Sequence, residues 1–326
     1  MSDILTNAFH FDSLVWDWII ALYLFLTGMS AGGVMISIYL KRKVIEGPAN
    51  LNGILRANAI FAPLGIIFGL SILVYHLQRP WTFWKIMLHY NPTSVMSMGV
   101  MLFQIYMVVL FIWLGVMFKQ EIYDFMSKYL SGLSAIRNLI NTVLTACKKF
   151  ENGIEIFLVV LAVLLAAYTG FLLSALKTYP LLNNPVLPVL FLFSSLSSGA
   201  AACILFGVAG FKEPTDSPSI KWIHGFERPV VLVELFVLCA FFVGLYFGGG
   251  QKEVAVATAI GSGFWATWFW IGVVGIGMLL PLALNHFSSA QTQHKKTFVI
   301  VVTGLSLLGV LMLRTFILYA GQMTVV

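Results

Sequence analysis

Six side chains stand out for the company they keep. Asp17, His76, Glu234 and Arg314 can ionise, and Tyr23 and Tyr168 carry phenols, yet each lies inside or at the end of a long apolar run. In hydrocarbon an ionisable group costs about 2.5–3.5 kcal/mol on insertion scales, and a buried hydroxyl wants a hydrogen-bond partner. Tyr23 and Tyr168 stand nine residues in from one end of their runs and Arg314 six. At about 1.5 Å per residue that is one layer, roughly 9–14 Å deep. His76 and Asp17 lie nearer the surface. Such donors suit a flat acceptor with two carbonyl oxygens that exchanges two protons with each electron pair, as a quinone head group does.

Each residue also has a plainer reading. Tyr168 can bond a backbone carbonyl of the next helix, and Tyr23 can be a packing aromatic. His76 can be an interfacial residue. Arg314 can be a structural cation that snorkels outward or pairs with Asp17. Glu234 either helps conduct protons or joins two helices.

The elements that must position these groups follow from composition. Of 326 residues 60 % are apolar and only 10 % charged, with mean hydropathy +0.93. A soluble domain has about 25 % charged residues, so an ordinary soluble fold is excluded, and so is disorder. A spanning helix needs about 20 apolar residues. Eight runs qualify: Leu14–Leu40, Ile54–Tyr75, Ser94–Phe118, Ile154–Lys177, Val186–Phe211, Phe226–Phe247, Phe264–Leu284 and Thr297–Ala320. They are continuous, not alternating, which excludes a barrel. The first lacks a basic leader and a cleavage site, so it reads as a retained helix. The expected fold is an all-α integral membrane domain of eight transmembrane helices.

Of the 19 Lys and Arg residues, alternate loops hold 14 on one side and four on the other, and Arg314 is intramembrane. The positive-inside rule puts the 14 in the cytoplasm and both termini outside. The net charge of +6 is spread between apolar runs, so no nucleic acid is expected as partner. The stretch Lys119–Asn152, with Ile122, Phe125, Met126, Tyr129 and Leu130 at helical spacing, predicts a surface helix. Tryptophans at run ends (Trp16, Trp18, Trp81, Trp84, Trp222, Trp265) read as an interfacial belt.

Small residues recur at an offset of 167: Gly28 and Gly32 in the first run correspond to Ser195 and Gly199 in the fifth. This predicts two parallel four-helix halves, 14–177 and 186–320. Small-xxx-small spacing lets helices approach closely, or clears room for a flat ligand. Cys147, Cys203 and Cys239 have no ligand spacing and read as small buried hydrophobes. They are too few for an iron–sulfur cluster, which needs about four thiolates. The histidines (His10, His76, His89, His224, His286, His294) sit at run ends or in loops, which disfavours haem. No metal site is expected.

Several motifs occur together in one order. They are Trp16-x-Trp18-x-x-Ala21-Leu22-Tyr23 with Gly28-x-x-Ala31-Gly32, and His76-x-x-Arg79-Pro80. Next come Asn91-Pro92-Thr93-Ser94 with Gly99, Tyr168-Thr169-Gly170, and Leu187-Pro188 before Ser198-Gly199-Ala200. The last is Arg314 six residues before Ala320-Gly321-Gln322. In these the chain resembles, over nearly its whole length, the NrfD/PsrC family of quinone-reactive membrane subunits. The resemblance implies an anchor subunit of a bacterial respiratory oxidoreductase in the inner membrane, binding menaquinone or a related quinone near the outer face. It implies two soluble partners outside: a four-cluster ferredoxin-like iron–sulfur subunit and a molybdopterin catalytic subunit. Tyr168 falls on the family's pocket tyrosine, while Tyr23 and Ile20 fall where some members carry histidine and asparagine. The site expected is Tyr23, Tyr168, Asp17, His76 and Arg314 with Gly28 and Gly32 making room for the ring, and a proton route of Asp17, His76 and Glu234. The competing reading is a secondary transporter or proton channel.

Overall fold

The computed structural model of the chain describes residues 8–77, 79–129 and 134–325. Among them are eight helices long and apolar enough to cross a membrane. Spans one to eight are Trp18–Lys43, Gly53–Tyr75, Val95–Met117, Glu151–Ser174, Leu187–Gly210, Pro218–Tyr246, Phe264–Phe287 and Lys296–Gln322. A helix is the one open-ended structure that satisfies every backbone group internally in hydrocarbon, which is why the apolar runs and the helices coincide. They differ at the ends, where polar caps and charged turns extend or trim a run. Asp17 caps span one by accepting from the Ile19 N–H at 3.0 Å. Asn52, Ser94 and Ser217 do the same for spans two, three and six. Span six begins eight residues before the apolar run, through Lys221 and His224, because a helix outside the hydrocarbon tolerates charge that hydropathy counts against it.

Spans one and five form the centre. Buried residues make up 78 % and 67 % of their apolar stretches, against 33–50 % for the other six. Span one packs on spans two, four, five and eight, and span five on those neighbours and on span six. The two meet at glycines: a Cβ on Gly32 would lie 1.8 Å from the Ser195 carbonyl oxygen, and one on Gly199 would lie 2.3 Å from the Gly32 carbonyl carbon. Backbone touches backbone there, and only glycine permits it.

The segment that enters span one is joined to the last turn of span eight. Gln322, buried near the end of span eight, accepts from the Val15 and Trp16 N–H groups at 2.9 Å each. It also donates to the Trp16 carbonyl at 2.8 Å. Tyr319 Oη accepts from the Trp18 N–H at 2.8 Å. The entry to span one is therefore fixed by the exit of span eight. At the opposite end Lys41 pairs with Glu151 and Glu155, and Arg42 pairs with Glu155. Trp113 of span three adds a hydrogen bond to Glu155 at 3.3 Å. A buried carboxylate held by two cations and an indole binds the basic end of span one to spans three and four.

Three expectations change. The predicted single surface helix is two amphipathic helices, Lys119–Tyr129 and Ser134–Lys149; Leu130 lies outside the described residues. Trp265 is no belt residue: it is buried, stacks on Tyr319 at 5.1 Å and donates to the Ala8 carbonyl at 3.2 Å. Cys203 is buried as a small hydrophobe, but Cys239 faces outward, since an outward cysteine costs nothing against lipid. Span seven brings a feature hydropathy does not report, a π-helical winding over Trp268–Leu279. In it Gly277 meets Gly309 of span eight, a Cβ there falling 2.4 Å from the Gly309 Cα.

Candidate functional site

Where spans one, three and four meet, three aromatic rings cluster. Tyr23 (span one) and Tyr168 (span four) flank Phe103 (span three), each ring centroid 6.0 Å from that of Phe103. Both tyrosines are buried, 1 % and 8 % exposed. Neither phenol hydroxyl has a hydrogen-bond partner among the described residues. Two glycines seat them. A Cβ on Gly99 would fall 1.8 Å from Tyr168 Cζ and 1.9 Å from its Oη, so the phenol lies directly on span-three backbone. A Cβ on Gly69 would lie 3.4 Å from Tyr23 Cδ2. One turn beyond Tyr23, the Thr27 hydroxyl is buried and unpartnered. A buried polar group without a partner costs roughly 1–3 kcal/mol, and such groups collect where something else is bound.

Arg314 lies on the other side of span one. It is fully buried. Its Nη2 donates to the Phe191 carbonyl at 3.0 Å and to Ser195 Oγ at 3.1 Å, and its guanidinium carbon sits 3.6 Å above the Phe191 ring. The charged neighbour it faces is Glu234, itself 1 % exposed. Both keep unpartnered atoms: Glu234 Oε1, Arg314 Nε and Arg314 Nη1. The expected outward snorkel or pairing with Asp17 is thus corrected. Arg314 is tied inward to span five, and the Asp17 carboxylate is engaged at the N-terminus of span one.

The structure brings Tyr23 and Tyr168 together, and sets Arg314 against Gly28 instead. His76 is exposed at the end of span two. The space facing Gly28 and Gly32 is filled by protein, not left for a ring. A Cβ on Gly28 would meet Ser195 Oγ at 2.6 Å and Arg314 Nη2 at 3.1 Å, and Gly32 abuts span five. Small residues along span one admit span five and the guanidinium.

Sequence reasoning missed the residues that complete these arrangements. Phe103 is one apolar residue in an apolar run and carries no signal. Glu227 had one, a carboxylate more than two turns inside span six. It is 5 % exposed, its Oε2 is 3.9 Å from His224 Nδ1, and Ser306 of span eight donates to its Oε1 at 3.4 Å. Asn58 and Tyr106 are polar residues inside apolar runs; both are buried with unpartnered side-chain atoms, and Asn58 backs onto Gly33. Among the described residues no three His, Cys, Asp or Glu side chains converge as a metal site would require.

Comparison with known proteins agrees in one direction. The family described as "Polysulphide reductase, NrfD" matches residues 6–326. The protein is 50 % identical to NrfD of Escherichia coli (strain K12) over 320 residues, which is 98 % of its own length and 99 % of that relative. It is 48 % identical to an NrfD homolog of Haemophilus influenzae over 317 residues, 97 % of each. It is 40 % identical to the C subunit of polysulfide reductase from Wolinella succinogenes over 314 residues, 96 % of each.

Proposed function

The chain belongs to the NrfD family of polysulphide reductase membrane proteins, and from that premise we propose that it is the quinone-binding, multi-pass membrane subunit of a bacterial respiratory reductase complex. The observation that carries this reading is the pair of buried, partnerless phenols around Phe103. Two hydroxyl donors, an aromatic wall and an apolar surround fit a flat ring bearing two carbonyl acceptors. When bound, the quinone supplies the two-electron chemistry that no side chain here can.

The protein's own part is to bind, orient and manage protons. Tyr23 Oη and Tyr168 Oη donate to the carbonyl oxygens and fix the ring beside Phe103. Burial excludes bulk water, so protons must travel through side chains. Asp17 and His76 exchange them at the outer end, which we assign to the end where Gln322 holds Val15 and Trp16. Glu234, close to Arg314, is the station on the inner side, with Arg314 stabilising negative charge there. Electrons pass to or from an iron–sulfur subunit docked outside, itself joined to a molybdopterin catalytic subunit. We assign the basic ends, with Lys41, Arg42 and Lys43, to the cytoplasm of an inner membrane. The two four-helix halves meet at Gly32 and Gly199, the positions related by the 167-residue offset.

The test is Tyr168→Phe in the assembled complex. Quinol-linked turnover should fall by at least tenfold, while the soluble subunits still react with artificial redox dyes. Unchanged quinol-linked turnover refutes the site.

A second reading, a proton channel, draws on Glu227, Glu234 and Arg314, all buried with unpartnered atoms. Proton flux through proteoliposomes that contain the protein and no quinone would favour it over the first.

A further inference from the structure

A cavity of about 160 Å³ opens where the start of span six meets the end of span seven and the connection to span eight. A single water needs roughly 10–15 Å³ of such space, so a tetrahedral anion with its hydration fits. The lining is one-signed. Lys221, His224 and Arg228 come from one face of span six, at helical spacings of three and four. His294 joins them from the connection, and Thr215, Asn285 and Gln293 supply neutral polar groups. No carboxylate lines the cavity; Glu227 stands behind His224 with 3.9 Å between Oε2 and Nδ1, and Asp216 follows the lining Thr215 in the chain. Directly along span six from Arg228, at steps of four, come Leu232 and Phe236, both exposed. A cation with an apolar stripe above it matches a phospholipid, anion below and acyl chain beside.

We propose that this cavity binds a phosphate oxyanion, with Lys221 and Arg228 as its charged contacts and His224 and His294 as further donors. The stripe of Leu232 and Phe236 makes the head group of an anionic phospholipid the favoured source, and free phosphate the other. The proposal is independent of the quinone reading, since it uses none of that site's residues. It gives the basic pocket between spans six and seven a role that packing does not need.

Native mass spectrometry of the purified, delipidated complex tests it, with phosphatidylglycerol, phosphatidylcholine and inorganic phosphate titrated separately. Each Lys or Arg near an anionic head group contributes about fivefold in binding. A Lys221→Gln/Arg228→Gln variant should therefore hold phosphatidylglycerol roughly 30-fold more weakly, and Lys221→Arg/Arg228→Lys should restore it. Preference for phosphatidylglycerol over phosphatidylcholine, lost in the double variant, supports the lipid source. Binding of inorganic phosphate, lost in the same variant, supports free phosphate as the source. Failure of the wild type to hold either anion, or equal binding by wild type and a double variant of unchanged melting temperature, overturns the proposal.

Discussion

Replacing Gly99 with alanine separates the function of Tyr168 from its packing. The new Cβ would stand 1.8 Å from Tyr168 Cζ and 1.9 Å from Oη, where ordinary contact begins at 3.4 Å. The phenol must therefore retreat by roughly 1.6 Å, the shortfall between those contacts. Its tip can swing about the side-chain torsions, so the protein should lose little stability, about 1–2 kcal/mol. The displaced hydroxyl is another matter. A misplacement of about 1 Å in a positioned group can cost on the order of 100-fold in rate. Gly99→Ala is expected to cut quinol-linked turnover by roughly 30- to 100-fold, in the range of those estimates, with dye-linked activity of the soluble subunits intact. In a Tyr168→Ala background the same substitution should add almost nothing, because the obstructed group is gone. The assay is quinol oxidation or quinone reduction by the assembled complex in detergent or liposomes. Gly99→Ala turnover within twofold of wild type, with the complex fully assembled, would refute the assignment of Tyr168 as a positioned donor.

Other substitutions probe the frame around that aromatic cluster. Gly32→Ala drives a Cβ into the Ser195 carbonyl at 1.8 Å, where neither partner is a side chain that can yield. Thermal unfolding in detergent should show a loss of about 3 kcal/mol or failure to assemble, whereas Gly153→Ala, with nothing within 4 Å, stays within about 0.5 kcal/mol. Arg314→Met strands the Glu234 carboxyl, so it should destabilise more than the Arg314→Met/Glu234→Gln double variant; a double-mutant cycle should give a coupling of about 1 kcal/mol or more. Asp17→Asn keeps the acceptor that caps span one, so melting should be unchanged, while quinol-linked turnover falls severalfold in the proton relay proposed for the carboxylate. Equal turnover would leave Asp17 as a cap alone.

The candidate site was legible only in part. Tyr23 and Tyr168 are readable because a hydroxyl deep in an apolar run is conspicuous by type and by depth. The same logic marks Glu234 and Arg314. Depth along a helix says nothing of azimuth, however, and azimuth separated the candidates: Tyr23 and Tyr168 turn toward Phe103, while Arg314 turns toward Phe191 and Ser195. Asp17 and His76 lie at span ends, nearer the surface than the two phenols. The spacing of Gly28, Gly32, Ser195 and Gly199 foretold close approach, not which surfaces would meet.

Hydropathy summed over some twenty residues is a local quantity, so the eight helices and their number follow from the amino acids as written, because a continuous apolar run in hydrocarbon satisfies its backbone hydrogen bonds within itself only as a helix. Partnership is not local. The Glu155 ion pairs with Lys41 and Arg42, the clasp of Gln322 on Trp16, the guanidinium of Arg314 facing Glu234 and the π-winding of span seven join or reshape residues whose neighbours the order of amino acids does not name. Only the packing of the eight spans decided which buried polar groups would satisfy one another and that Tyr23 and Tyr168 would meet around Phe103.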